Sequence, residues 1–100
     1  MVKHIVIWKM REHAEDEGKE GNALKVKSLL ESLKGEIPGV IKLEVGIDFS
    51  AGATSGDIVL YAEFEDRAAL EVYQSHPLHL NAAELVRSVV SERRMVDYEI

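Results

Sequence analysis

The chain has 100 residues, 46% of them hydrophobic, and a formal net charge of −6, which fits one globular domain and excludes a disordered chain. No Lys/Arg cluster is dense enough to follow a phosphate backbone, so nucleic acid and anionic membrane are poor partners. There is no cysteine, which excludes disulfides, thiolate catalysis and thiolate metal ligands.

Val2 to Met10 alternates. Val2, His4, Val6, Trp8 and Met10 share one face, and Lys3, Ile5, Ile7 and Lys9 share the other, which is a strand by its period of two. Ile5 and Ile7 between two lysines give the second face an apolar centre, so neither side of the sheet is expected to be simply solvated. Met1 leads directly into this strand without the apolar core of a signal peptide. No stretch approaches the roughly 18 apolar residues of a membrane span, and a cytoplasmic protein is the expectation.

A charged stretch from Arg11 to Glu20 reads as a solvated loop and helix start. Ala23, Val26, Leu30, Leu33 and Ile37 then recur at helical spacing, predicting a first helix that Gly35 and Pro38-Gly39 end. Val40 to Phe49 reads as the second strand, and Ser50 to Gly56 as a flexible loop. Asp57 to Phe64 is a third strand, with Ile58, Leu60, Ala62 and Phe64 on one face and Val59 and Tyr61 on the other. Asp66 is placed to cap a short second helix through Leu70 and Tyr73. Pro77 suits the first turn of a third helix, which Leu78 through Val90 continue, and Glu92 to Ile100 closes the chain as a strand.

The order β-α-β-β-α-α-β is an embellished split βαβ arrangement. It predicts a single α+β domain over residues 1–100, ferredoxin-like, with a four-stranded antiparallel sheet and helices on one face. Ile5, Ile7, Val59 and Tyr61 are left on the open face as an association surface. Two such sheets facing each other would form a dimeric α/β barrel with two-fold symmetry, and a short domain gains burial that way.

The Val2-Lys3-His4-Ile5-Val6 strand, Phe64-Glu65, the run Tyr73-Gln74-Ser75-His76-Pro77-Leu78-His79 and Val96-Asp97-Tyr98 resemble the stress-responsive dimeric α/β-barrel domain family over essentially the whole chain. The resemblance implies a ferredoxin-like homodimer. Plant relatives include heat-stable stress proteins and olivetolic acid cyclase, which closes a linear polyketide by aldol condensation. That cyclase's working histidine and tyrosine fall on His79 and Tyr73, and a pocket histidine falls on His4. The first helix here offers Leu24, Val26, Leu29 and Leu30 where the cyclase has aromatic residues, and Trp8 is bulkier than the aliphatic residue expected. The cyclase's substrate is therefore not carried over. The family also implies a magnesium ion held by backbone carbonyls near Gly35–Gly39 in some members; no other cofactor is implied.

These residues support a concrete chemistry. With Pro77 in the first turn, the helix dipole favours a neutral His79, able to take a proton from a carbon beside a carbonyl. Tyr73 can donate its hydroxyl to the developing enolate oxygen. His4, Val6, Trp8, Leu60 and His76 are the expected substrate-binding residues. The alternatives are ordinary: His76 and His79 as helix-end caps, and His4 as a hydrogen-bonded core histidine. A side-chain metal site is not expected, because a helix begins between His76 and His79 and no carboxylate completes the set. The readings are a cofactor-free lyase or cyclase acting on a small carbonyl or polyketide-like substrate; a non-catalytic stress-related or ligand-binding dimer; and a cofactor-free monooxygenase, since related dimeric barrels include such enzymes.

Overall fold

A computed structural model describes residues 1–100. β1 (Val2–Met10) leads through a tight hairpin, β2 (His13–Ala14) and β3 (Glu17–Gly18), into α1 (Lys19–Glu31). β4 (Val40–Ile47), β5 (Ile58–Phe64), α2 (Arg67–Ser75), α3 (Pro77–Val89) and β6 (Val90–Glu99) follow. The main sheet has four strands in the order β4-β5-β1-β6, every neighbouring pair antiparallel. This is the ferredoxin-like α+β arrangement.

The alternation of β1 decides the layers. Val2, His4, Val6, Trp8 and Met10 are buried toward the helices, together with Ile58, Leu60, Ala62 and Phe64 of β5. Val26 and Leu30 of α1, Leu70 and Tyr73 of α2, and Val86 and Val89 of α3 close that core from above. The opposite face is uncovered. Ile7 and Val96 are exposed there, and Ile5, Val59 and Tyr61 are half-buried. In its middle, the Lys3 ammonium donates to the Tyr61 hydroxyl and to Glu63, each at 2.7 Å, and the Tyr61 hydroxyl donates to Glu63 at 2.6 Å.

Several boundaries differ from the sequence expectation, each for a local reason. The charged stretch is ordered: Glu15 and Asp16 take positive φ and turn the two-residue strands of the hairpin. Asn22, buried in α1, donates its side-chain N–H to the carbonyls of Ala14 and Glu17, tying hairpin to helix. α1 stops at Glu31, although Leu33 and Ile37 stay buried. Turn hydrogen bonds carry the chain onward, and Gly35 and Gly39 reverse it with φ of 90°, a region that costs glycine little. β4 ends at Ile47, leaving Phe49 in the loop and 99% exposed. β6 begins at Val90, directly after α3.

The carboxylate of Asp66 accepts from the Ala69 amide at 2.8 Å, the cap expected for α2. Phe64 lies at the centre of the core, wholly buried. Phe64→Ala should lower stability by about 3–5 kcal/mol, read as a reduced urea midpoint with an unchanged slope. Asp66→Ala should give a smaller loss in the same direction.

Candidate functional site

α2 and α3 are separated by one extended residue, His76, with φ of −65° and ψ of 136°. Pro77 forces this break: its ring disfavours a helical conformation in the residue before it, and its missing N–H costs nothing at a helix start. The break aims two side chains at one place. Tyr73 faces inward from the last turn of α2, and His79 sits in the first turn of α3, with ring centroids 4.6 Å apart and a tilt of 55°. The Gln74 carbonyl, left without a helical partner at the end of α2, bonds His79 Nδ1 at 3.0 Å. A carbonyl only accepts, so that nitrogen carries the proton, and Nε2 is the bare nitrogen of the neutral ring.

The sheet supplies the third group. His4 of β1 is opposite Asp97 of β6 in register, and its Nδ1 is hydrogen-bonded to the Asp97 carboxylate. A carboxylate in that place holds the imidazole in one orientation. The His4 and Tyr73 rings stand edge to face with centroids 6.4 Å apart, and Phe64 backs Tyr73 at 5.1 Å. His4, Val6, Trp8, Leu60, Tyr73 and His79 all line a single cavity of about 480 Å³ between the sheet and α3. Its outer part is formed by Ala83, Arg87, Val90, Ser91, Glu92 and Arg93.

Of the expected site residues, His76 alone is not brought in. Its Nδ1 accepts from the Leu78 amide at 3.1 Å, so the ring caps α3 and faces away from the cavity lining. His4 unites the two roles that its position in the sequence left open, since it is both hydrogen-bonded and part of the wall. Asp97 and the two arginines are what sequence reasoning missed. The signal for Asp97 was available: in an antiparallel pair the inward residues of a closing strand meet those of the first. It was usable only once the register was known.

Burial sets the protonation states. It pulls the His79 pKa below the usual 6.5, with lesser contributions from His4, Arg93 and Arg87, while the Gln74 bond acts in the opposite sense. Desolvation favours a neutral base, in the same sense as the helix dipole expected from the sequence. Tyr73 is 0% exposed, and burial pushes its phenol up to about 12, so it keeps its proton as a donor. Its hydroxyl is sealed from solvent and has no hydrogen-bond partner. No three His, Asp or Glu side chains gather in a metal-binding group. Near Gly35–Gly39, the carbonyls of Leu29, Leu30, Glu31 and Leu33 each already accept a bond from within the chain.

The sequence pattern of the stress-responsive A/B barrel domain matches residues 2–100. The chain belongs to that family. No curated protein sequence matches it. A dimeric protein of unknown function with a ferredoxin-like fold from Bacteroides fragilis is 32% identical, with a TM-score of 0.85 over 99% of this chain and 95% of that one. Hydroxynitrile lyase from Passiflora edulis shares the fold at 16% identity and a TM-score of 0.81, covering 99% of this chain and 92% of the lyase. A putative antibiotic biosynthesis monooxygenase from Nitrosomonas europaea does so at 18% identity and 0.76, covering 99% and 97%.

A depressed His79 pKa has a definite sign in stability. The folded state resists protonation, so its contribution is present above the unfolded value and is lost as pH falls through the folded one. The parent protein should lose more stability between about pH 7.5 and 5 than His79→Gln does, measured as the change in urea midpoint.

Proposed function

We propose that the domain is a cofactor-free enzyme of the lyase or cyclase type, in which His79 removes a proton beside a carbonyl group and Tyr73 donates to the resulting enolate oxygen. The observation that carries this reading is the Tyr73 hydroxyl: buried, protonated and unpartnered, on a ring whose centroid lies 4.6 Å from that of the neutral His79 imidazole. A buried hydroxyl without a hydrogen bond costs about 1–3 kcal/mol, and a substrate oxygen would relieve that cost. Because the hydroxyl is closed off from solvent, the substrate engages it through a side-chain adjustment of the inner wall.

In the proposed step, the C–H electron pair moves into the enolate while the proton goes to Nε2 of His79. The oxygen, gaining negative charge, accepts from Tyr73. The enolate carbon then adds to a second carbonyl carbon of the substrate, whose oxygen takes the electron pair and the proton from His79, or it expels a leaving group from the neighbouring carbon, which takes them instead. Nε2 of His79 and the Tyr73 phenol carry this step without a metal or a redox group. Val6, Trp8 and Leu60 supply the apolar walls against which the carbon skeleton would lie. The fold shared with a hydroxynitrile lyase fits this class, and the fold shared with a monooxygenase keeps oxygen consumption as the discriminating control.

Exchange of deuterium into the carbons beside the carbonyl of 2-octanone, followed by NMR, tests the reading. His79→Ala should slow exchange by about 10²–10⁴-fold and Tyr73→Phe by about 10²-fold, with fold and association state retained. Exchange in the parent no faster than in His79→Ala would overturn it.

We further propose that the domain works as a homodimer joined through its open sheet face. Ile7 and Val96 lie exposed there, and the Lys3–Tyr61–Glu63 group is internally satisfied, so it can be covered without stranding a charge. The relative from Bacteroides fragilis is described as dimeric. Sedimentation should show a dimer at micromolar concentration, and Ile7→Lys, which plants a charge in the contact, should yield a folded monomer.

A further inference from the structure

The cavity is chemically uneven along its length. Its inner end holds the imidazoles of His4 and His79 and the Tyr73 phenol among apolar walls, whereas its outer end carries two guanidinium groups. Arg87 stands on α3 two helical turns beyond His79, about 12 Å along the axis. Arg93 comes from the inward face of β6, where its register partner is Trp8 of the cavity wall. The two therefore flank the mouth from different elements.

Neither arginine has a carboxylate within ion-pair distance. Lys3, Lys19, Lys25, Lys27, Lys42 and Arg67 each do. In a chain of net charge −6, two uncommitted guanidiniums converging on one opening are a local reversal of the overall field. One acidic side chain, Glu92, shares the mouth; its strand register places it opposite Lys9, beside the bulge between Lys9 and Met10. Both arginines line the same cavity as His79, which puts them within reach of a single bound molecule.

We infer that the cavity takes a substrate with two ends: a carbonyl group for the inner end and, several bonds away, an anionic oxygen group held between Arg87 and Arg93. Guanidinium forks bind carboxylate and phosphate alike through paired N–H donors. The walls between the two ends, Val6, Trp8, Leu60 and Val86, are apolar and suit an unsubstituted carbon chain. This deepens the proposed function and rests on the cavity being a site for a carbonyl compound.

The experiment compares 6-oxoheptanoate, its neutral methyl ester and 5-oxohexyl phosphate by calorimetric titration of the whole protein. The acid or the phosphate should bind at least about tenfold more tightly than the ester, and whichever is tighter identifies the anion. The ratio should fall toward one in the Arg87→Gln/Arg93→Gln double variant and should rise in Glu92→Gln. It should also shrink in the parent protein between about 20 and 500 mM salt, a reading independent of any variant. Equal affinity for anions and ester, no binding of either anion, or a preference that survives in the double variant would overturn the inference. Deuterium exchange beside the ketone is followed separately in the same complexes. Exchange without anion preference removes this inference alone, whereas anion preference without exchange removes only the catalytic roles of His79 and Tyr73.

Discussion

The whole domain hangs on β1, a strand hydrogen-bonded on both sides, to β5 and to β6. A central strand has no free edge, and its two faces are fixed by the period of two, so a slip of one residue would exchange Val6 and Trp8 for Ile5 and Ile7. That slip would place Lys3 and Lys9 under the helices and His4 on the open face. The cost of burying two unpaired ammonium groups holds the register, and the register in turn holds the site. His4 meets Asp97, and Trp8 meets Arg93, only because β1 and β6 are aligned in this one way.

The site is assembled from both layers. The sheet contributes His4 with its carboxylate; the helices contribute Tyr73 and His79 across a break one residue long. Each imidazole has one nitrogen committed to an acceptor, Asp97 for His4 and the Gln74 carbonyl for His79. What remains uncommitted is two ring nitrogens and one phenol in a mostly apolar pocket. Groups that are individually common in cores become chemically distinctive when their polar atoms are left free together. The depth of burial that makes Tyr73 a retained donor and His79 a neutral base also makes the hydroxyl hard to reach. Access and activation are therefore coupled in this fold.

Much of this organisation is legible in the order of residues. The inward set of β1 and β5, the Asp66 cap, the Pro77 helix start and the uncovered apolar face all follow from local patterns, and each is found in the structure. Helix ends read less well. Leu33 and Ile37 continue the helical spacing of α1, yet they are buried by turns, because burial follows the direction of a side chain whatever backbone carries it. Likewise, the hairpin at His13–Gly18 hides among charges, since its order comes from Asn22 reaching back to two carbonyls.

The histidines show where the boundary lies. Sequence alone brings His76 and His79 forward as a pair, three residues apart, and cannot separate them. The break before Pro77 turns one ring to cap a helix and the other toward Tyr73. Arg87 and Arg93 carry no sequence signal of their own, because a guanidinium on an amphipathic element is ordinarily solvated, and the signal of Asp97 needs the register before it can be used. Their meaning comes from the register of β6 and from the angle at which α3 lies over the sheet. By itself, then, the sequence determined the layers, the family and the candidate pair Tyr73 and His79, since periodicity and short motifs are local properties. The tertiary structure alone decided which polar atoms face one another across the cavity, since those contacts join residues as far apart as His4 and Asp97.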